Sequence, residues 1–519
     1  MQAAARREPR IAIIGSGFSG LCLAIQLRKA GIESFTIYEK ASRLGGTWRD
    51  NTYPGAACDV PAMAYCFSFE QKSDWSRKFA LQSEILDYME HCADKYGIRP
   101  HLRFDTEIES ARFDEAAGVW RLRTRAGEAI EAEVLVSGVG QLNRPHVPDL
   151  PGLESFRGQR FHSARWDHGV PLDGRRVGVI GNAASAVQFV PEVAKRAGQV
   201  SVFQRSANWT VPRNDRPYSE SEKQRFARHP WLAKLVRWSI YLTFELQWPV
   251  FRRNRFMAKR YEALAERNLT EQIADVQMRQ ALRPTYPIGG KRILISDDYY
   301  QALARENVEL VTAGIERIEP DGVLTRDGRR IPLDVLVLST GFETTEFLAP
   351  MALEGLAGRR LADDWSQGAR AYKGICVSGF PSFFMMYGPN TNLGHNSIIF
   401  MIECQTRYIV DCIRALRERG LAWLDLRREV MEAWNDRLQE ELARTVWNDT
   451  DHSWYKNAAG RITNNWSGST LRYWWTTRGA DLDAYHQVAK PAASAARPLA
   501  PARDALASAT PLRAQGGRS

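Results

Sequence analysis

R-I-A-I-I-G-S-G-F-S-G, residues 10–20, passes from an uninterrupted apolar run straight into glycines spaced G-x-G-x-x-G. An apolar run without alternation is what a parallel strand buried on both faces requires. After it, residues 21–30 repeat apolar side chains at helical spacing, Gly31 closes the helix, and residues 34–39, S-F-T-I-Y-E, read as a second strand ending on Glu39. The glycine pattern alone is weak; with strand, helix and an acid 19 residues past Gly20 it predicts a Rossmann-like dinucleotide turn. Gly15 serves the tight turn, Gly17 lets the backbone approach a pyrophosphate, and Gly20 permits close helix–strand packing. The phosphates would rest on the helix N-terminus, where free N–H groups favour an anion, and Glu39 would accept hydrogen bonds from a ribose.

A second unit of the same kind follows. Residues 175–180, R-R-V-G-V-I, read as a buried strand, Gly181-Asn182-Ala183-Ala184-Ser185-Ala186 as its turn, and 187–197 as its helix. Ala183 stands where the middle glycine is expected, and its methyl narrows the approach to a pyrophosphate. The next strand, 199–204, ends on Arg205-Ser206 instead of an acid. A cation and a hydroxyl there suit a 2′-phosphate, which points to NADP over NAD. The fold class expected is therefore α/β, with two Rossmann-like dinucleotide-binding domains and a helical insertion. The domains expected are 1–142 with 344–487 for the first nucleotide, 143–212 with 287–343 for the second, and 213–286 for the insertion.

Between and beyond the two units the chain is less regular. Residues 44–59, L-G-G-T-W-R-D-N-T-Y-P-G-A-A-C-D, read as an ordered loop, and 131–140 as a strand returning to the first sheet. A Pro-rich connector, 141–151, suggests a boundary near Asn143. A strand at 333–339 ends in Ser339-Thr340-Gly341-Phe342, and a second crossover begins at 383–390. Asn396-Ser397 is expected to cap a helix running to about residue 418. Residues 452–475 read as an ordered loop, and the chain after residue 488 as disordered.

Composition narrows the function classes. The chain has 519 residues, 44% hydrophobic and 25% charged, as expected for a soluble protein of two or three domains. No apolar run is long enough for a membrane span, and 1–10 lacks the apolar core of a signal peptide. Seven scattered cysteines without a C-x-x-C pair fit reduced thiols and a cytoplasmic protein, and argue against a dithiol–disulfide reductase. The net charge of +10 is concentrated: residues 213–267 hold 13 basic and 6 acidic side chains. No nucleic-acid-reading motif accompanies them, so no nucleic-acid partner is expected. Residues 213–286 also cluster Trp231, Trp238, Tyr241, Phe244, Trp248 and Phe251 at helical spacing. A helical insertion packing its aromatics on the protein body is the preferred reading; contact with a membrane surface is the alternative. No metal-ligand cluster and no Ser/His/Asp arrangement is visible.

The connector leads into F-R-G-Q-R-F-H-S-A-R-W-D, residues 156–167. Its Phe156, Gly158, His162, Trp166 and Asp167 match F-x-G-x-x-x-H-x-x-x-W-[P/D], the signature of the flavin-dependent Baeyer–Villiger monooxygenases, which the chain resembles from residue 10 to 485. Residues 45–59 match a second family pattern, G-G-x-W-x-x-x-x-Y-P-G-x-x-x-D, and Tyr286 to Arg292 a third, Y-P-x-G-x-K-R. Sister flavin monooxygenases that oxidise amines and sulfides usually differ at the Trp166 position and lack an equivalent of Asp59.

The resemblance implies FAD and NADPH as cofactors, and O2 with a small-molecule ketone as substrates. It implies that Gly15, Gly17, Gly20 and Glu39 hold the ADP half of FAD, with Thr47, Trp48, Asp59 and Tyr65 at the flavin end; Phe18 and Ile108 are further FAD-site candidates. NADPH would be held by Gly181, Asn182, Ala183, Ser185, Ala186 and Gln188, with Arg205, Ser206 and Lys291 around its 2′-phosphate and Trp454 touching the nicotinamide nucleotide. Arg292 would be the principal catalytic residue, a cation beside a flavin peroxide that must stay deprotonated to attack the ketone, and Asp59 would orient it. A structural salt bridge is the ordinary role of a lone arginine; the motif around Arg292 reverses that expectation. His162 and Trp166 are expected to transmit domain motion. The product would be an ester or lactone. Oxygenation at nitrogen or sulfur, and a non-catalytic NADP-binding redox flavoprotein, remain as alternatives.

Overall fold

In the computed structural model the described residues are 8–450, 453–457 and 459–490. Five parallel strands form the first sheet, in the order Phe383–Met385, Val134–Ser137, Ile11–Ile14, Phe35–Tyr38, Leu102–Arg103. Ile11–Ile14 lies third of five and is buried along its whole length, which accounts for its lack of alternation. The helix Phe18–Lys29 begins earlier than periodicity suggested, because Gly17 already supplies the N-cap and the turn residues themselves are helical. Gly31 stands at φ +69°, a left-handed position just past the helix end.

The second sheet repeats the plan with Val308–Val311, Gln199–Phe203, Arg176–Ile180, Val335–Leu338 and Gln159–His162, again parallel throughout. Each parallel sheet is accompanied by an antiparallel meander: Ile108–Asp114, Val119–Thr124 and Ala129–Ala132 beside the first, Ile315–Glu319, Gly322–Thr325 and Arg330–Pro332 beside the second. The α/β class with two Rossmann-like layers is thus the observed architecture.

The segment between the two nucleotide turns is not a free connector. Its residues Gln159–His162 are the edge strand of the second sheet, with His162 opposite Leu338. Phe156 is buried with Leu153, Leu336 and Leu338, and a Cβ on Gly158 would lie 2.4 Å from the Asp334 carbonyl oxygen. Only glycine lets the chain enter the sheet that closely. The loop 44–59 contains the helical turn Thr47–Asp50, and 453–475 ends in the helix Thr470–Thr476, whose first turn Ser469 caps by accepting from Arg472 N–H. The return strand expected at 131–140 is shorter, Val134–Ser137, because Ala129–Ala132 belongs to the meander. Tyr485–Ala489 pairs antiparallel with Leu421–Leu426, so regular structure extends just past residue 488; the tail expected to be disordered otherwise lies outside the described residues.

The insertion is helical as expected: Glu220–Arg228, Pro230–Glu245, Trp248–Phe251, Arg255–Gln272 and Val276–Ala281. Its aromatics divide. Tyr241 and Phe251 are buried, whereas Trp231 and Trp238 are 58% and 54% exposed. The Pro230–Glu245 helix rests on the body along one face, where Arg237 donates to the carbonyls of Met63 and Cys66, and that leaves the other face uncovered. The expectation that the cluster packs inward is corrected to that extent. No helix among the described residues is long and apolar enough to cross a membrane.

The close approach at Gly158 sets a test of the edge strand. Gly158→Ala is expected to destabilise the protein by about 1–3 kcal/mol, the usual cost of overpacking, as a lower midpoint in urea unfolding. An unchanged midpoint would mean that the strand stands off from Asp334.

Candidate functional site

The two nucleotide turns open into one cavity of about 1360 Å³ lined by both parallel layers. At the first turn Gly15 has φ +97°, and a Cβ on Gly20 would lie 2.0 Å from the Gly15 carbonyl oxygen, so both glycines are required by packing. Gly17 differs: the nearest atom to a Cβ there is the Gly46 Cα at 3.9 Å. It faces open space, and the helix behind it has no side-chain cap. The first-turn N–H groups are therefore available to an anion. Phe18, Thr47, Trp48, Tyr65 and Ile108 line the same cavity, Ile108 following Thr106, whose N–H donates to the Glu39 carbonyl at 2.8 Å. Phe18 meets the Tyr65 ring edge-on at 5.4 Å, and Trp48 Nε1–H donates to the Tyr65 hydroxyl at 3.2 Å.

Glu39 is buried at the end of its strand, with its carboxylate already engaged. Oε2 accepts from Ser16 N–H at 3.0 Å and Ser16 Oγ–H at 2.8 Å, and Oε1 from Ala41 N–H at 3.0 Å. Arg49 completes the set with Nη1 3.0 Å from Oε1. Arg49 also pairs with Asp50 at 2.7 Å, and Asp50 lies 3.7 Å from Arg165 of the 156–167 segment. Sequence reading passed over Arg49; its place in a loop gives no local signal of a partner ten residues away.

The second turn holds Gly181 at φ +104°, where a Cβ would sit 2.2 Å from the Ser339 carbonyl oxygen. Asn182, Ala183 and Ser185 line the cavity, whereas Ala186 is fully buried beneath the helix start and does not. Ala186 thus occupies the close-packing place that Gly20 fills in the first turn, and neither reaches the cavity. Asn182 donates to Gln204 Oε1 at 2.7 Å and to the Ser206 carbonyl at 3.0 Å. Gln188 was expected to hold a nucleotide. Its amide is instead spent on the loop opposite, accepting from the Tyr53 hydroxyl at 3.0 Å and donating to the Ala57 carbonyl at 3.0 Å.

Arg205, Ser206 and Lys291, 86 positions apart at their extremes, meet at one end of the cavity. Lys291 Nζ donates to Ser206 Oγ at 3.2 Å. Burial, and then the neighbouring Arg205 charge, push the Lys291 ammonium below its ordinary value. Two adjoining cations with a hydroxyl between them make a receptor for a dianion, which would relieve their repulsion.

Arg292 follows Lys291 and reaches across to Asp59. Nε donates to Asp59 Oδ2 at 2.8 Å, and Nη2 donates to the same oxygen. The partners are 233 positions apart, yet both side chains stay about a third exposed, 34% and 31%, on the cavity wall. The Asp59 carboxylate holds the guanidinium charged well above its usual range, against the cost of burial. Tyr387 and Trp454 share that region; Tyr387, at φ +56°, donates from its hydroxyl to Asn392 Oδ1 at 2.7 Å. Trp454 is fixed through its carbonyl, which accepts from Thr344 Oγ1 at 3.1 Å and Asn464 Nδ2 at 2.6 Å. The helix Ile398–Arg419 begins at the cavity, but neither Asn396 nor Ser397 caps it by a side-chain bond; Asn396 Nδ2 is turned to Glu245.

His162 and Trp166 do not line the cavity. Trp166 packs between Phe161 and Phe189, with ring centroids 5.0 and 5.2 Å away. His162 Nδ1 accepts from Ala164 N–H at 3.0 Å, and burial, reinforced by Arg165, pushes its pKa down to about 4.

The flavin-binding monooxygenase-like family model matches residues 8–451. A Baeyer–Villiger monooxygenase of Pseudomonas aeruginosa is 42% identical over 493 residues, covering 95% of this chain and 94% of that protein. One from Streptomyces coelicolor is 43% identical over 485 residues, 93% of each. Among solved structures, oxidized steroid monooxygenase bound to NADP superposes with a TM-score of 0.84 at 30% identity, covering 93% of this chain and 100% of that one. Cyclohexanone monooxygenase from Rhodococcus sp. Phi1 bound to NADP+ gives 0.83 at 26% identity, covering 93% and 99%.

The depressed pKa of His162 has a measurable consequence. Its folded value near 4 lies below the ordinary 6.5, so between those values the unfolded chain binds more protons. The stability that neutral His162 contributes is present above about pH 6.5 and lost as the pH falls through 4, up to about 3 kcal/mol. Urea midpoints measured from pH 7 to 4 should fall less steeply for His162→Asn than for the parent; identical slopes would remove His162 as the source.

Proposed function

The chain belongs to the flavin-binding monooxygenase-like family, and we infer that it is an FAD- and NADPH-dependent Baeyer–Villiger monooxygenase, using O2 to convert a ketone to an ester or lactone. The observation that carries this reading is the Arg292–Asp59 pair on the wall of a cavity shared by both nucleotide turns. Bound FAD would supply the redox centre at which electrons from NADPH and oxygen meet. The open face at Gly17, the uncapped helix N-terminus and the Glu39 carboxylate network fit the ADP half of FAD, with Thr47, Trp48 and Tyr65 toward its flavin end and Phe18 and Ile108 as further contacts. Arg205, Ser206 and Lys291 fit the 2′-phosphate of NADPH, and Asn182, Ala183, Ser185 and Trp454 line the way between. We assign residues 1–142 and 344–487 to the FAD half and 143–212 and 287–343 to the NADP half on that basis.

Arg292 presents a permanent positive charge to the cavity, because a guanidinium keeps its proton at any working pH. Such a charge lowers the cost of negative charge that develops on reacting oxygen, and lowers it most where water is excluded. Asp59 holds the guanidinium by Nε and Nη2 and so fixes its orientation. Gln188 and Tyr53 fix the loop two residues before Asp59. Lys291 and Arg205 bind and orient the reductant. We place the protein in the cytoplasm; all seven cysteines are free and buried, as reduced thiols would be.

Purified protein with NADPH, O2 and a panel of cyclic, aromatic and steroidal ketones should yield esters or lactones one oxygen heavier than the substrate. Products from sulfides or amines alone would move the protein to the sister activity. Arg292→Ala should retain reduction by NADPH and lose ester formation by about two to three orders of magnitude; near-normal oxygenation would remove Arg292 from the role given it. Arg205→Ala should raise the KM for NADPH by about tenfold or more, the loss of one charge-assisted contact, and leave that for NADH almost unchanged. Equal effects on both would refute the 2′-phosphate site.

A further inference from the structure

We propose that the outer face of the Pro230–Glu245 helix is a docking surface for an anionic lipid bilayer, with the helix lying in the headgroup plane. Trp231, Leu235, Trp238, Leu242 and Leu246 are 52–73% exposed. Their spacing of three and four residues sets them in one stripe along the helix. The polar residues on this face are few: Lys234, Ser239 and Thr243. The inner side is apolar as well, with Leu232, Val236, Ile240 and Phe244 packed on the core, so the helix is apolar on both sides and its exposed stripe is not the polar outer face of an ordinary surface helix.

The stripe continues onto a second element. Tyr241 bonds Thr470, and Leu471 N–H donates to Glu245 Oε1 at 3.4 Å, so the Thr470–Thr476 helix starts beside the last turn of the stripe. It adds Leu471 and Trp475, 49% and 59% exposed, and Trp474 at 37%. Arg478 lies over the Trp475 ring at 3.9 Å, a cation held against an aromatic at the surface.

Charge selects the occupant. Arg225, Arg228, Lys234, Arg255, Lys259 and Arg260 are exposed and form no ion pair among the described residues. Lys234 lies within the stripe and Arg225 and Arg228 on the helix that packs against it; all six fall in a stretch with 13 basic against 6 acidic side chains. A second copy related by a two-fold axis would bring this positive rim against itself. Anionic headgroups neutralise it, and exposed tryptophans are the side chains that settle at the membrane–water boundary. Sixteen residues rise about 24 Å, too short for a hydrocarbon core of about 30 Å. The inner face is tied to the protein: Arg237 holds the Met63 and Cys66 carbonyls, and Glu245 accepts from Asn396, which lines the catalytic cavity. The same helix thus joins the docking face to the cavity wall, which suits a substrate apolar enough to reside in the bilayer.

The test uses the full-length holoenzyme in co-sedimentation with vesicles of phosphatidylcholine alone or mixed with phosphatidylglycerol. Binding to the mixed vesicles, weakened by salt, is expected, with affinity reduced at least about tenfold in the variant Trp231→Ser/Leu235→Ser/Trp238→Ser/Leu242→Ser. The four side chains are exposed, so the variant's thermal midpoint and NADPH oxidation should match the parent. Brominated lipid should also quench the parent's tryptophan emission, a readout independent of any variant. Three results would overturn the proposal: no binding to the mixed vesicles, equal binding by the variant, or a concentration-dependent dimer in sedimentation velocity that the variant lacks. The last would give the face to a second copy.

Discussion

The Asp59–Arg292 ion pair is the contact on which the organisation of the cavity turns. It joins a loop that leaves the first nucleotide turn to one that follows the helical insertion, and each partner has a backbone held by other means. Asp59 is placed by Gln188, which bonds both Tyr53 and Ala57 from the helix of the second nucleotide unit. Arg292 is placed by the short pairing of Thr210–Val211 with Leu294–Ile295, beyond the strand that carries Arg205. A charge pair with both members a third exposed gives little stability by itself. Its effect is to fix one guanidinium edge in a cavity bordered by two nucleotide sites.

A second set of charges runs from the first site to the 156–167 segment: Glu39 to Arg49, Arg49 to Asp50, and Asp50 to Arg165. Thr52 adds a bond to His168 at 2.9 Å. The loop carrying Asp59 is thus attached at one end to the segment between the domains and at the other to the second nucleotide helix. The family signature in that segment lies outside the cavity, and its His162 and Trp166 secure an edge strand. The contacts to the loop come from Arg165 and His168, neighbours of the signature residues, while the chemistry is proposed for residues on either side.

Both nucleotide turns were legible because strand, turn and helix are contiguous and Gly15, Gly20 and Gly181 each have a local steric reason. The meeting of Arg205, Ser206 and Lys291 was legible through motif resemblance, since nothing in local sequence joins residue 206 to 291. Gln188 sits in the turn's register and lines the cavity, but its amide partners Tyr53 and Ala57 belong to another loop, which local sequence does not show. Arg49 and Tyr387 were passed over because their roles depend on burial and on partners distant in sequence. The insertion was legible as helical. Which side of the Pro230–Glu245 helix meets the protein was not, because Leu232, Val236, Ile240 and Phe244 on the inner side and Trp231, Leu235, Trp238 and Leu242 on the outer are alike apolar.

Asp59 and Arg292 are proposed to act as one unit. A double-mutant cycle on the rate of ester formation, with Asp59→Asn, Arg292→Ala and both together, tests it most directly. The account predicts that each single change is severe and that the double variant is no slower than Arg292→Ala alone, because Asp59 acts only through the arginine. Losses that multiply, making the double variant slower by the product of the two, would contradict it and show that the residues contribute separately.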